Sequence, residues 1–278
     1  MRTPASLCVL PLLLSTLPLA AQCYDAGICA LERSPAAPEN RISLVAQESR
    51  SGGADDLRFN AARLEGQFRL GARTALTVVL PYGRVSGPLG STSGIGDAIL
   101  VVDQTLAEVP WGRFTGQLGV RFATGRDDAG GLPQRYQAGL GGTDALLGFR
   151  FDATRWEAGL GYQKAGARSG NSVEPLKRGD DLLLHLGLRG SLGPFGATLK
   201  AVAIQKLQAS DVRLPDGTLR SLPESDRLQV NLVGGVSLPL PGGWSVEARL
   251  AKPFLKRPDN TDGLKRAQTA ELGATFRF

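Results

Sequence analysis

Residues 270–278, the last nine of the sequence, read Ala-Glu-Leu-Gly-Ala-Thr-Phe-Arg-Phe and alternate strictly in polarity. One face carries Ala270, Leu272, Ala274, Phe276 and Phe278, and the other carries Glu271, Gly273, Thr275 and Arg277. Successive side chains of a β-strand point to opposite sides, so this pattern predicts a strand with one apolar face and one polar face.

The same alternation recurs along the chain and predicts twelve strands in all. The apolar ladders span residues 42–46, 62–70, 76–82, 98–102, 114–122, 145–151, 156–162, 182–188, 195–203, 228–238, 244–250 and 270–278. The opposite faces carry too many charges for a packed core between two sheets, since charges are rarely buried unpaired. An apolar outside and a charged inside predict an all-β fold, a transmembrane antiparallel β-barrel, rather than a soluble β-sandwich.

The connections between the predicted strands alternate in length. Tight turns fall at residues 71–72, 110–111, 153–154, 192–193 and 241–242, and longer loops span 51–55, 86–94, 125–140, 165–178, 208–225 and 255–266. Short periplasmic turns and longer extracellular loops are typical of outer-membrane barrels, which also end on an aromatic residue such as Phe278. The aromatics Trp111, Trp156 and Trp244 lie beside tight turns, where we expect them, with Phe278, at a membrane interface.

The N-terminus has the features of an export signal. Arg2 precedes a short apolar stretch, and Leu19-Ala20-Ala21 offers a cleavage site, so residues 1–21 are predicted to be a signal peptide. We expect the rest of the chain to reside in the outer membrane of a Gram-negative bacterium, with residues 40–278 forming the barrel.

Residues 22–39 form a predicted periplasmic segment that contains two cysteines, Cys23 and Cys29. An even pair in an oxidising compartment predicts a small disulfide loop, and lipidation of Cys23 or a haem or metal site is less well supported. The segment either folds into the periplasmic mouth as a plug or forms a tether, and the sequence leaves both alternatives open.

The polar faces of the ladders predict the lining of the barrel interior, or lumen. The candidates are Arg63, Glu65, Arg69, Asp103, Arg113, Arg121, Arg150, Glu157, His185, Arg189, Lys200, Glu247, Arg249 and Glu271. With Lys206 and Arg277 included, the ladders place ten cationic groups against five anionic ones. An open lumen would then prefer anionic or polar solutes, whereas a lattice of salt bridges would fill it.

Three aspartates, Asp97, Asp144 and Asp181, each open a strand that descends from a long loop. They are candidates for an acidic extracellular rim that attracts cations. The favoured alternative is that aspartate ends these loops and pairs with Arg or Lys of adjacent strands.

Catalytic signals are weak. His185 is the only histidine, and no serine stands beside it on the same face, as an outer-membrane lipid-acting enzyme would need. The sequence shows no metal-ligand cluster, phosphate loop or dinucleotide motif. We therefore expect no enzyme activity, no metal and no cofactor. Although the net charge is +6, the cations are spread singly over the strands, which argues against a nucleic-acid partner.

Three short motifs carry a family resemblance: Leu80-Pro81-Tyr82, the stretch Ser93-Gly94-Ile95-Gly96-Asp97, and Gly141-Gly142-Thr143-Asp144. They resemble a family of predicted outer-membrane transporters associated with the phenol meta-cleavage pathway. The resemblance implies a barrel that passes small organic compounds, with aromatic ones as candidates, and implies no particular binding residues.

The combined expectation is a channel for small solutes that works by passive or gated diffusion. The alternatives are a closed structural or adhesion barrel and, with less support, a lipid-acting enzyme. The expected partners are outer-membrane lipid, lipopolysaccharide, and the barrel-assembly machinery, which would recognise the C-terminal strand.

Overall fold

The computed structural model describes residues 28–33, 38–52, 55–259, 261–263 and 267–278. The predicted signal peptide and Cys23 lie outside these residues, so the signal and the disulfide stay predictions. One α-helix is described, α1 (Ile28–Arg33). The strands are β1 (Arg41–Arg50), β2 (Arg58–Arg69), β3 (Thr74–Gly87), β4 (Gly90–Ile95), β5 (Ile99–Val109), β6 (Gly112–Arg121), β7 (Asp144–Ala153), β8 (Trp156–Lys164), β9 (Leu176–Lys177), β10 (Asp181–Leu192), β11 (Phe195–Lys206), β12 (Ser210–Arg213), β13 (Leu219–Leu222), β14 (Gln229–Pro239), β15 (Trp244–Leu255) and β16 (Gln268–Arg277).

Twelve of these strands form a closed antiparallel barrel, as the sequence predicts. Around the wall they run β1, β2, β3, β5, β6, β7, β8, β10, β11, β14, β15 and β16. The barrel closes because β1 pairs with β16 on one side and with β2 on the other. All of these pairings are antiparallel. Because the sheet closes on itself, no edge is left unpaired in the wall.

The predicted inside–outside alternation is confirmed in the strands. In β1, for example, Ser43, Gln47 and Ser49 are buried inside, whereas Ile42 and Leu44 point outward and are 41% and 61% exposed. The outward ladders together form an apolar belt that fits the hydrocarbon core of a bilayer. No helix in the described parts of the chain is both long and apolar enough to cross a membrane.

Aromatic rings gather on the outer surface at the end of the barrel with tight turns. Phe151 packs between Trp111 and Trp156, with ring centroids 5.0 and 4.9 Å away. On the opposite wall, Trp244 packs on Phe276 at 5.0 Å. Amphipathic rings favour the boundary between lipid and water, so this end lies at a membrane interface.

Three of the predicted long loops contain strands that were not predicted from the sequence. Residues 86–94 are not a loop: β3 continues to Gly87 and pairs with β4 in a hairpin that extends beyond the barrel wall. On the same side, β9, β12 and β13 form a separate three-stranded sheet. These strands lie outside the apolar belt, so they carry no apolar ladder by which they could be recognised.

The extracellular loops are packed against one another. Tyr136 is 2% exposed and joins Leu57, Phe59 and Val85 in an apolar cluster. Its hydroxyl accepts a hydrogen bond of 3.2 Å from the backbone N–H of Leu89. These contacts fix the loop between β6 and β7 over the outer mouth of the barrel.

The inner face is less uniformly polar than the alternation predicts. A layer of apolar side chains lines the lumen, and its buried members on the wall are Val79, Ile99, Val101, Leu146, Leu183, Val202, Ile204, Val233 and Ala251. The inner faces therefore carry this apolar layer as well as the charged residues that the alternation predicts. The sequence does carry a signal, since runs such as Leu182-Leu183-Leu184 place apolar residues on both faces of a strand.

Candidate functional site

Helix α1 lies inside the barrel, and its apolar side chains form one core cluster with those of the inner wall. Cys29 and Leu31 are 2% and 1% exposed, and they belong to the same cluster as Val101 and Leu183 of the wall. The helix packs against the inner faces of β5, β7, β8 and β10. This placement favours the plug over the tether for the described part of residues 22–39.

Polar contacts tie α1 to the wall on three sides. Glu32 Oε1 lies 2.6 Å from Lys200 Nζ of β11, and Arg33 NH2 lies 3.5 Å from Glu271 Oε1 of β16. Gln117 of β6 donates a hydrogen bond of 3.1 Å to the backbone oxygen of Leu31. The helix packs against the stretch of wall from β5 to β10, and the side chains of Glu32 and Arg33 extend its contacts beyond that stretch to β11 and β16.

The Lys200 side of the plug continues into a row of ion pairs. Lys200 also lies 2.5 Å from Glu157, and Glu157 lies 2.6 Å from Arg189. Gly187 leaves room for this arrangement, because a Cβ there would stand 2.8 Å from Glu157 Cγ and 3.0 Å from Lys200 Cγ. Arg189 reaches on to Asp152 at 2.5 Å, and Asp152 also binds Arg150 at 2.6 Å.

The opposite side of the plug holds a second group of charges. Arg63 pairs with Glu65 and also lies 3.8 Å from Glu271. Arg249 lies 2.7 Å from Glu247 on the same strand. Between these groups and Arg33 there is a cavity of about 40 Å³. Such a space holds a few water molecules at most, so the lumen has no room for a solute here while α1 is docked.

A separate network of charges closes the extracellular end. Arg121 pairs with Asp97 and lies 2.7 Å from Asp144. Arg178, from the loop that precedes β10, joins Asp144 at 3.0 Å and Asp181 at 2.8 Å.

Lys206 extends this outer network to the loop between β15 and β16. It lies 3.2 Å from Asp181 and 3.1 Å from Asp262. Burial alone would raise the pKa of Asp262, but Lys206, Arg257 and Arg178 outweigh burial and hold that pKa below its ordinary value. Burial would likewise lower the pKa of Arg178, yet Asp181, Asp144 and Asp262 raise it. Both groups therefore stay charged while the network is intact.

The predicted rim aspartates take part in this network. Asp97, Asp144 and Asp181 are 5%, 2% and 2% exposed, and each pairs with a cation. The structure thus places all three in ion pairs at the extracellular end.

The predicted lumen residues lie on the inner faces of their strands, but they do not form one site. Arg69 and Arg113 lie near the periplasmic end, where Arg69 is exposed and Arg113 lies 2.7 Å from Glu108. Asp103 accepts a hydrogen bond of 2.8 Å from Gln117, and Arg150 is 1% exposed. His185 lies at the level of the apolar layer.

Four residues that take part in these contacts were not predicted from the sequence: Glu32, Arg33, Arg178 and Asp262. They lie in the N-terminal segment and in loops, where no periodicity indicates which way a side chain points. Gln117, by contrast, lies on the polar ladder that predicts the inner face of its strand. No group of three or more potential metal ligands occurs among the residues described.

No protein family matches the chain, and no curated protein matches it. The chain is similar in structure to an outer membrane channel from Pseudomonas putida F1, with 18% identity, a TM-score of 0.64, and coverage of 88% of this chain and 99% of that one. It is also similar to the translocator domain of the autotransporter NalP from Neisseria meningitidis, with 15% identity, a TM-score of 0.52, and coverage of 90% and 91%. A third similar structure is the NanC porin, with 6% identity, a TM-score of 0.51, and coverage of 86% and 100%.

At these identities the likeness concerns the fold. The closed twelve-stranded wall, the apolar outer belt and the aromatic ring clusters agree with it. The chain has the fold of outer-membrane β-barrels.

Proposed function

We propose that this chain is an outer-membrane channel for small solutes and that α1 gates it. The observation that carries the proposal is the position of α1: a separate segment fills the lumen through side-chain and hydrogen-bond contacts, while the wall is complete without it. Eight strands enclose a barrel that side chains alone can fill, and twelve strands enclose more space. Removal of α1 would therefore leave a passage.

The helix is suited to reversible docking. It has six residues, and helices this short are not stable in water on their own. Its order therefore depends on its contacts with the wall, and loss of those contacts would unfold it. Because opening needs no change in the twelve paired strands, the barrel could stay intact during gating.

The comparisons support a channel without naming a solute. Two of the three similar structures bear the descriptions "outer membrane channel" and "porin". Small organic compounds as solutes, including aromatic ones, follow only from the sequence resemblance and remain a prediction. The anion preference expected from the charge count is weakened, because cations such as Arg121, Arg189 and Lys200 are paired with carboxylates.

A liposome-swelling assay with neutral sugars of graded size tests the proposal. Deletion of residues 23–39 removes α1, so we expect this variant to admit small sugars at least tenfold faster than the full chain does. Heat-modifiable migration on gels would show that the deletion variant is folded. A folded deletion variant that admits no solute would contradict the proposal.

A closed structural or adhesion barrel is the second candidate, and the packed extracellular side favours it. The buried ion pairs of Arg121, Arg178 and Lys206 tie the extracellular connections to one another. A barrel that stays closed after removal of α1 would support this candidate.

We propose that the chain is not an enzyme. His185 is 6% exposed and lies beneath the plug, in a layer of aliphatic side chains. A serine-reactive fluorophosphonate probe should therefore leave the folded protein unlabelled. Stoichiometric labelling that His185→Phe abolishes would support the lipid-acting enzyme instead.

The expected partners are proposals of the same kind. Lipid and lipopolysaccharide would contact the outward apolar belt. The barrel-assembly machinery would recognise the C-terminal strand, in which Phe276 stacks on Phe278 at 5.9 Å and Phe278 is 60% exposed.

A further inference from the structure

Two buried polar side chains, His185 and Asn231, interrupt the apolar layer of the lumen. His185 is 6% exposed, and neither ring nitrogen has a hydrogen-bond partner among the described residues. Asn231 is fully buried. Its oxygen accepts a hydrogen bond of 3.2 Å from Gln229, but its amide nitrogen has no partner in the part of the chain that the structure describes.

The strand register places these two groups at one level of the lumen. His185 lies opposite Val202 on β11, and Val202 lies opposite Asn231 on β14. Neighbouring strands are about 4.8 Å apart, so the backbones at His185 and Asn231 are separated by roughly 10 Å. Leu183 lies two residues from His185 and Ile204 two residues from Val202 along the strands, and both belong to the apolar layer.

The wall has space that accommodates the His185 ring. Gly159 lies opposite His185 on β8, and a Cβ at Gly159 would stand 2.8 Å from Nε2. The ring therefore packs directly against the backbone of the wall. Helix α1 packs against β8 and β10, the strands that carry Gly159 and His185, so the plug covers this part of the wall.

The groups without a hydrogen-bond partner here belong to an imidazole ring and an amide, whereas the nearest charged residues are paired. Lys200 lies 2.5 Å from Glu157, and Glu157 lies 2.6 Å from Arg189. A buried polar group without a partner is unfavourable, and a ligand that supplies the partner gains affinity. A charged ligand, by contrast, would lose its hydration without finding a free counter-ion.

We propose that α1 covers a binding site, centred on His185 and Asn231, for a small uncharged molecule with a compact aliphatic body and a hydroxyl or carbonyl group. The polar group would hydrogen-bond to His185 or Asn231. The aliphatic body would occupy the part of the apolar layer that Leu31 fills in the closed state. Solute and plug then compete for one place, and binding favours the undocked helix. This inference rests on the proposed channel function and names its solute class.

The test uses the full chain with Glu32→Lys, which releases the plug, in planar bilayers. Cyclohexanol, cyclohexanecarboxylate and cyclohexylammonium share one ring and differ in charge. We expect cyclohexanol to reduce the open-channel current at concentrations at least tenfold lower than the two ions need. Adding His185→Phe should raise the blocking concentration of cyclohexanol about tenfold, the effect of one lost hydrogen bond. Asn231→Leu should act in the same direction.

The control is Thr275→Val, which removes a polar group from the periplasmic end of the lumen. The hydroxyl groups of Thr275 and Ser43 share a hydrogen bond of 2.8 Å there. It should leave the block unchanged. Equal block by all three compounds, or block unaffected by both His185→Phe and Asn231→Leu, would overturn the site while the channel function stands.

A second measurement separates the site from conduction. Equilibrium dialysis of radiolabelled cyclohexanol against the Glu32→Lys protein in amphipol should show one saturable site that His185→Phe weakens. Saturable binding without any current would contradict the proposed channel function but support the proposed binding site. Partitioning without saturation would contradict the site.

Discussion

Substitution of Glu32 by lysine should open the channel. Glu32 is 2% exposed, and its carboxylate lies 2.6 Å from Lys200 Nζ. A lysine there would face Lys200 with a like charge inside the barrel. Loss of one partner of a buried ion pair costs about 3–5 kcal/mol. Each 1.4 kcal/mol changes an equilibrium constant about tenfold. The ratio of undocked to docked helix should therefore rise at least about 100-fold.

Single-channel recording measures this effect as open probability at fixed voltage. The matched control is Glu224→Lys, which makes the same change of charge on an extracellular turn, where Glu224 and Arg227 form an exposed pair. The control should behave like the unmodified protein. An open probability that Glu32→Lys leaves unchanged would show that the Lys200 contact does not hold the plug.

Substitution of Arg121 by glutamine should destabilise the barrel from its extracellular end. Arg121 is 1% exposed, pairs with Asp97 and lies 2.7 Å from Asp144. Its terminal nitrogen also donates to the backbone oxygen of Gly142 at 3.0 Å. Arg178 would still form an ion pair with Asp144, but the buried Asp97 would lose its ion-pair partner. We expect the free energy of unfolding to fall by about 3 kcal/mol or more.

Urea unfolding followed by tryptophan fluorescence in micelles measures this change. Arg69→Gln is the control, because Arg69 is exposed and its side chain donates to the backbone oxygen of Gly71 at the periplasmic end. Surface changes of this kind usually stay within about 0.5 kcal/mol. Equal unfolding midpoints for the two variants would mean that the outer network adds little stability. If Arg121 also lines a conducting path, the reversal potential in a salt gradient should shift toward cations.

The barrel could be predicted because the bilayer constrains every strand in the same way. Lipid requires an apolar residue at each second position, as Leu184, Leu186 and Leu188 show in β10. The repetition over twelve strands offsets the weak signal of any single one. Beyond the bilayer this constraint ends, and the polar and glycine-rich β4 therefore looked like a loop.

The closed state could be predicted only in part. A plug formed by residues 22–39 is one of the two alternatives that the sequence leaves open. Helix α1, however, has only six residues, too few for a periodicity that would show what it contacts. Its position depends on tertiary contacts such as those of Leu31 and Glu32. The outer network joins Arg178 to Asp262, from loops far apart in the sequence, and loop composition does not reveal such pairs.

Single-channel conductance of the full chain and of the variant that lacks residues 23–39 tests the central claim most directly. Both proteins would be shown to be folded and then recorded in planar bilayers under identical salt. The account predicts rare or no openings for the full chain and long, stable conductance steps for the deletion variant. Equal conductance of the two proteins would show that α1 does not gate the lumen, and silence of both would show a barrel that is closed without it.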